Sequence, residues 1–165
     1  MSVKRAFDPV VDAQTRLLIL GSLPGDASLK AGQYYGHPQN GFWRLVGGVI
    51  GIDLGTLPYP ERLAALKAAG VGLWDVIASA ERPGSLDGAI RNAEAADLNR
   101  LIDDLPSLRA VAFNGGTAAR LGRLTLTPRP GLDLIDLPSS SPAYTRPLIE
   151  KAAAWAVLGT FIRRP

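Results

Sequence analysis

The sequence predicts an α/β fold: a three-layer α/β/α sandwich around a central, mainly parallel four-stranded sheet, forming one domain over residues 1–165. Three observations predict it. Four short apolar runs each stop at glycine, asparagine or proline, or at a carboxylate. Patterns of helical period separate those runs. No internal repeat, low-complexity tract or linker interrupts the chain.

Leu17-Leu18-Ile19-Leu20 is a continuous apolar run closed by Gly21, the pattern of a strand buried on both faces. From Gln39 to Val49, the apolar residues Phe42, Leu45, Val46 and Val49 fall at helical spacing. Gly51 to Tyr59 reads as a loop. Pro60 to Ala69 reads as a helix with proline in its first turn and Gly70 at its end. Val71 to Val76 is the second strand, and Ala80 to Leu86 reads as a loop from its glycine and proline. Ala95 to Leu105 sets Leu98, Leu101, Ile102 and Leu105 on one helical face. Ala110 to Phe113 is the third strand, ending at Asn114-Gly115-Gly116, and a short helix starts at Thr117 and runs to Leu121. Leu132 to Leu137 is the fourth strand, stopped by Pro138. Its Asp133 and Asp136 mark it as more exposed than the rest. Pro147 to Leu158 is the last helix, with Ile149, Ala152, Ala153, Ala156 and Val157 expected inward.

Strands alternating with helices imply a parallel sheet with right-handed crossovers. Such sheets bind ligands at the carboxyl ends of their strands. The Gly21 loop, Asp75, Asn114 and the Ser139 loop all follow strands, so all four are expected along one edge.

Composition narrows the chemistry. The 165 residues contain no cysteine, which excludes disulfides, cysteine-held iron–sulfur clusters and thiol catalysis. His37 is the one histidine, so a zinc site would need almost all-carboxylate ligands and a Ser-His-Asp triad would rest on His37 alone. No cofactor and no metal is expected. No run reaches the roughly 20 apolar residues of a membrane span, and Met1 to Val10 lacks the apolar stretch of a signal peptide. The expected protein is cytoplasmic and monomeric, with no membrane contact and no obligatory protein partner. A net charge of +3 permits a nucleic-acid partner.

Two segments concentrate the candidate chemistry. Gly21-Ser22-Leu23-Pro24-Gly25 is neither a phosphate-binding P-loop nor a dinucleotide fingerprint, because no Gly-Lys-Ser/Thr follows and the glycine spacing differs. It is either a tight strand-to-helix turn or a loop whose backbone N–H groups face a ligand. Gln33 to Trp43 follows it. There, Tyr34 and Tyr35 are packing residues or a stacking surface for a planar base. Asn40 is either a helix N-cap or an amide that binds a base edge or orients water. His37 is a turn residue or a general base. The second segment, Leu137-Pro138-Ser139-Ser140-Ser141-Pro142-Ala143, is a capped turn or a clamp on a nucleotide phosphate, with Arg146 adding charge. Asn114 is an Asx turn or part of the site's floor. Asp75 is a capping carboxylate or an acid–base residue.

The order Gly21-Ser22-Leu23-Pro24-Gly25, Tyr35, His37-Pro38, Asn40-Gly41-Phe42-Trp43 is similar in spacing to the first motif of the mismatch-specific uracil-DNA glycosylases. The serine segment occupies the place of the second motif in that superfamily. Adding Leu73-Trp74-Asp75-Val76, Gly84-Ser85-Leu86-Asp87, Phe113-Asn114-Gly115, Lys151 and Trp155, the chain most resembles the hypoxanthine-DNA (deoxyinosine) glycosylase branch. Two departures matter. Leu23 stands where the mismatch-specific enzymes carry a water-positioning Asn. Ser139 to Ser141 replace the His with which the classical uracil enzymes stabilise the leaving base.

The resemblance implies a base-excision repair glycosylase acting on DNA with a deaminated base, hypoxanthine favoured and uracil possible, flipped from the helix. It moves the essential amide to Asn40 and puts Tyr35 on the base-stacking aromatic. Gly21, Ser22, Leu23, Pro24 and Asn114 then belong to the base site, with Asp75 a candidate for orienting water. Ser139, Ser140, Ser141, Pro142, Ala143 and Arg146 belong to the DNA contact. Ala143 falls near a bulkier duplex wedge of other members, and Tyr144 is the substitute. No lysine lies within either motif and Lys30 is nearest to the first, so a monofunctional enzyme using water is expected. The alternatives are a catalytically silent nucleic-acid-binding module of the same fold, and a hydrolase of free nucleosides.

Overall fold

In the computed structural model, which describes residues 3–163, the strands are β1 (Val3–Arg5), β2 (Leu17–Gly21), β3 (Val71–Asp75), β4 (Ile77–Glu81), β5 (Arg91–Ala95), β6 (Ala110–Asn114) and β7 (Asp133–Leu137). The α-helices are α1 (Asp26–Ala31), α2 (Phe42–Ile50), α3 (Tyr59–Ala68), α4 (Leu98–Asp103), α5 (Gly116–Thr125) and α6 (Leu148–Trp155). The four predicted strands form one sheet in the order β3-β2-β6-β7, with every pairing parallel.

Alternation along β2 shows why this sheet is a middle layer. Leu17 and Ile19 face a core with Phe42, Val46, Leu66 and Trp155 from α2, α3 and α6. Leu18 and Leu20 face a second core with Leu98, Ile102, Ala118 and Leu23. All four β2 side chains are closed to solvent, so neither face tolerates a polar substitution. β7 is the outer strand, and its Asp133 and Asp136 are exposed as expected.

From β2 the chain passes to β3 on one side, and then returns to β6 on the other. The carboxyl ends of β2 and β6 therefore flank a topological switch point, where open parallel sheets hold ligands. Among the described residues no helix is long and apolar enough to cross a membrane.

Two features are added, a second sheet and the helix α1, and three expectations are corrected. A second, antiparallel sheet in the order β1-β4-β5 packs beside the main one. Its strand β4 overlaps the expected loop at Ala80 and Glu81, and β5 claims Ala95 from the expected helix. The Ala-Ser-rich β4 and the polar, exposed β5 lack the apolar run that marks the main strands. α4 begins only at Leu98, where Asp97 caps it by accepting the N–H of Arg100. α1 follows the first loop with no apolar stripe to announce it. α6 turns its other face inward: Lys151, Trp155 and, just beyond, Leu158 are buried, whereas Ile149 is 80% exposed and Val157 50%. Trp155 decides that rotation. Its bulk fills the core against Phe42, and its Nε1 donates to Pro138 O at 2.9 Å. The Lys151 ammonium is drawn in by the Ser141 carbonyl at 3.1 Å.

Candidate active site

The parallel register sets Gly21 opposite Asp75 and Asn114 opposite Leu137, so the four expected strand-end groups do share one edge. At the centre of that edge Gly21, Asp75 and Tyr35 meet. A Cβ on Gly21 would lie 2.8 Å from Asp75 Oδ1 and 3.1 Å from Tyr35 Oη. The glycine is thus required by space. Gly21→Ala is expected to push both side chains from their places and to cost about 1–3 kcal/mol of stability, as overpacking does; thermal denaturation checks it.

Among the described residues, Tyr35 Oη and Asp75 Oδ2 are buried side-chain polar atoms with no partner in hydrogen-bond geometry, although the nearby Asn114 side chain acts to lower the Tyr35 phenol. Folded proteins rarely leave such groups unpaired, because each costs about 1–3 kcal/mol. Burial, with repulsion from Asp87, pushes the Asp75 carboxyl up to about 7, and the Arg82 guanidinium offsets part of that rise. Burial and the Asp75 charge raise the Tyr35 phenol, so it stays a neutral donor. A carboxyl balanced near neutrality at a strand end is suited to take or give a proton.

Tyr35 is held under strain. Its φ of 53° is in the left-handed region, which non-glycine residues rarely enter. Trp43 Nε1 donates to its carbonyl at 3.2 Å, and the next N–H, from Gly36, donates to the buried Ser28 Oγ at 2.9 Å. One face of the Tyr35 ring stacks on Phe42 at 3.8 Å and 11°. A planar ligand would use the opposite face.

Asn40 sits just before α2, and its Oδ1 accepts the Phe42 N–H at 3.0 Å. The N-cap of α2 is Gly41, so the cap expectation is corrected by one residue: Asn40 precedes the cap, and its bond to the first helical N–H forms an Asx turn that does not exhaust the residue. The bond fixes which end of the amide faces the helix and leaves the Nδ2 group as a donor. His37 Nδ1 accepts the Gln39 N–H at 3.0 Å, so that ring holds a local turn.

In the first loop Leu23 is 6% exposed and packs in the core, and Pro24 is buried, so neither side chain is open to a ligand. Ser22 Oγ donates to Asp87 Oδ1 at 2.7 Å. The sequence reading missed the partner of this loop. Arg82 is 2% exposed and donates to Leu23 O at 3.4 Å and to Pro24 O. An arginine inside a Pro-Gly-Ser segment was the available signal.

The serine loop is largely committed to itself. Asn114 Oδ1 accepts the Ser140 N–H and Asn114 Nδ2 donates to Ser140 Oγ, both at 2.9 Å. Ser140 O accepts the Gly41 N–H at 3.0 Å, which joins the two loops. The Ser141 N–H goes to Ser139 Oγ and the Ala143 N–H to Ser141 Oγ. Asn114 is thus a strut between β6 and the loop, and Ser140 is a buried joint. The hydroxyl protons of Ser139 and Ser141 meet no acceptor among the described residues. Pro142, Ala143 and Arg146 are exposed, and Arg146 pairs with Glu150 at 3.4 Å. Beside the loop opens a cavity of about 290 Å³ whose lining includes Arg44, Tyr144, Arg146 and Lys151. Lysines do reach both loops in space: Lys151 donates to Ser141 O, and Lys4 pairs with Asp26 next to the first loop. Among the described residues no group of acidic and histidine side chains is placed to hold a metal ion.

Residues 9–159 match the family described as the Uracil DNA glycosylase superfamily. The chain belongs to that superfamily. A protein of Methanosarcina barkeri named hypoxanthine DNA glycosylase is 43% identical over 153 residues, covering 93% of this chain and 96% of the relative. A protein of the same name from Methanosarcina acetivorans is 42% identical over the same shares of both chains. A solution NMR structure from Methanosarcina acetivorans, carrying a uracil DNA glycosylase name, superposes with a TM-score of 0.83 at 40% identity, over 96% of this chain and 97% of that one.

Proposed function

We propose that the protein is a monofunctional DNA glycosylase that hydrolyses the N-glycosidic bond of a deaminated base flipped from DNA, with hypoxanthine ahead of uracil. The observation that carries the reading is the unpaired Asp75 carboxyl beside Tyr35 and Gly21 at the switch point of a superfamily scaffold. The names of its relatives favour hypoxanthine.

A target base must leave the stack before its glycosidic bond is reachable. Arg44, Arg146 and Lys151 line the cavity beside the serine loop and hold the strand by its phosphates. The flipped base lies on the free face of Tyr35, and the exposed Tyr144 fills the gap it leaves. As the bond between C1′ and the base nitrogen breaks, its electron pair goes to the base and positive charge builds on the sugar. The Asn40 Nδ2 donor stabilises the departing base. Water adds to C1′, and the Asp75 carboxylate takes its proton. The protein acts as a monomer, without an obligatory protein partner.

Oligonucleotides holding a single inosine, uracil or xanthine, incubated with the protein and then treated with alkali, test this. Strand breaks at inosine are expected, with fewer at uracil. Tight binding with no break at any lesion would instead favour a silent binding module.

A further inference from the structure

Arg82 is a buried cation with no part in the chemistry above. Its Nε donates to Gly84 O at 3.0 Å, Nη1 to Leu23 O at 3.4 Å, and Nη2 to Pro24 O. The guanidinium therefore ties the segment after β4 to the first loop. Asp87 Oδ1 balances it at 4.0 Å and accepts Ser22 Oγ at 2.7 Å. Ser85 Oγ accepts the Asp26 N–H at 2.8 Å, and a Cβ on Gly25 would lie 3.3 Å from that hydroxyl. Lys4 Nζ closes the set by donating to Gly84 O and Asp26. Residues 82–89 and the first loop thus form one hydrogen-bonded unit.

We propose that Arg82, braced by Asp87, is a positioning residue for base release, holding the Leu23–Pro24 turn in register with the strand ends that carry Gly21 and Asp75. The inference rests on the glycosylase reading and goes beyond it, because neither residue touches the reacting atoms. Planar trans peptides give the geometric reason. With Pro24 O turned to Arg82, the Gly25 N–H of the same peptide points the opposite way. Releasing the carbonyl lets that peptide rotate.

Arg82 and Asp87 also act on Asp75 in opposite directions, the cation lowering its pKa and the carboxylate raising it. The other groups facing Asp75 are the phenols of Tyr35 and Tyr34 from the preceding loop. Opposite displacements by two neighbours separate an electrostatic brace from a merely structural one.

The test follows Asp75 by carboxyl ¹³C NMR in the whole protein, together with single-turnover base release from inosine DNA across pH. Arg82→Met is expected to slow release about 100-fold and to move the Asp75 midpoint, with the acid limb of the rate, to higher pH. Asp87→Asn keeps an acceptor for Ser22 and is expected to move both to lower pH. Release by Arg82→Met at the native rate, or an Asp75 midpoint unmoved by either change, overturns the proposal. Should Arg82→Met fail to fold, the Asp87→Asn midpoint decides alone. If the native protein releases no base, the glycosylase reading fails, and the positioning role with it; the NMR midpoints then still report whether the brace exists.

Discussion

Asn40→Asp is expected to fold as stably as the native protein and to release base from inosine-containing DNA about 100- to 1,000-fold more slowly, the usual cost of removing one preorganised donor. The prediction separates two roles that one amide fills. Asn40 Oδ1 accepts the Phe42 N–H, the first of α2, from the residue just before the N-cap Gly41. Aspartate keeps that acceptor and adds negative charge at a helix N-terminus, where it is welcome. What it removes is the Nδ2 donor, and it puts repulsion where a departing base gathers negative charge. Asn40→Ala loses both functions, so it should show the same kinetic defect and lose about 1 kcal/mol of stability as well. Urea denaturation reads the turn, and alkaline cleavage of abasic strands reads the chemistry. Native-rate release by Asn40→Asp would remove the donor from the mechanism and leave Asn40 a turn residue.

What could be read from sequence was what one strand or one helix face states locally. Leu17 to Leu20 has no polar residue, so it can only be a strand covered twice, and its two cores prove that. Asp133 and Asp136 told of an outer strand for the same reason in reverse. The second sheet was silent because β4 and β5 are held by partners distant in sequence, not by an apolar run of their own. The inward face of α6 was misjudged because five small or aliphatic residues outvoted one tryptophan, although Trp155 brings more buried surface and a fixed hydrogen bond. At the sheet edge, residue type and strand-end position sufficed to expect Gly21 and Asp75 side by side, as the register has them. They did not reveal that both ends of the Asn114 amide bond Ser140, nor that Arg82 reaches the first loop from 58 residues beyond Pro24. Pairings of that kind exist only once the fold brings the partners together.

Asp75→Asn is expected to make the protein more stable above pH 7 and at the same time to abolish the acid limb of its pH–rate profile. The ordinary carboxyl value of 3.8 holds for Asp75 in the unfolded chain, against about 7 in the folded one. Below pH 3.8 the group is protonated in both states and carries no penalty. Between 3.8 and 7 the folded protein keeps a proton that the unfolded chain has lost, so stability falls as pH rises. Above 7 the full penalty stands, of order 4 kcal/mol at most. Asparagine has the same shape and no charge to bury, so thermal denaturation at pH 8 should show a gain over the native protein that vanishes near pH 4. The rate should move the other way. A carboxylate that accepts the proton of attacking water works only when ionised, so native base release rises with pH through about 7. Asparagine accepts no proton, and a loss of about 100- to 10,000-fold is expected, with no limb left in that range. A variant that is more stable and less active cannot have lost its activity by misfolding. Retention of both the native rate and its limb would take Asp75 out of the reaction, and an unchanged stability at pH 8 would show that its burial costs nothing in the folded state. The unpaired Asp75 Oδ2 is the structural sign that the cost is carried, and the proposed role in hydrolysing a glycosidic bond would be a reason for a fold to carry it.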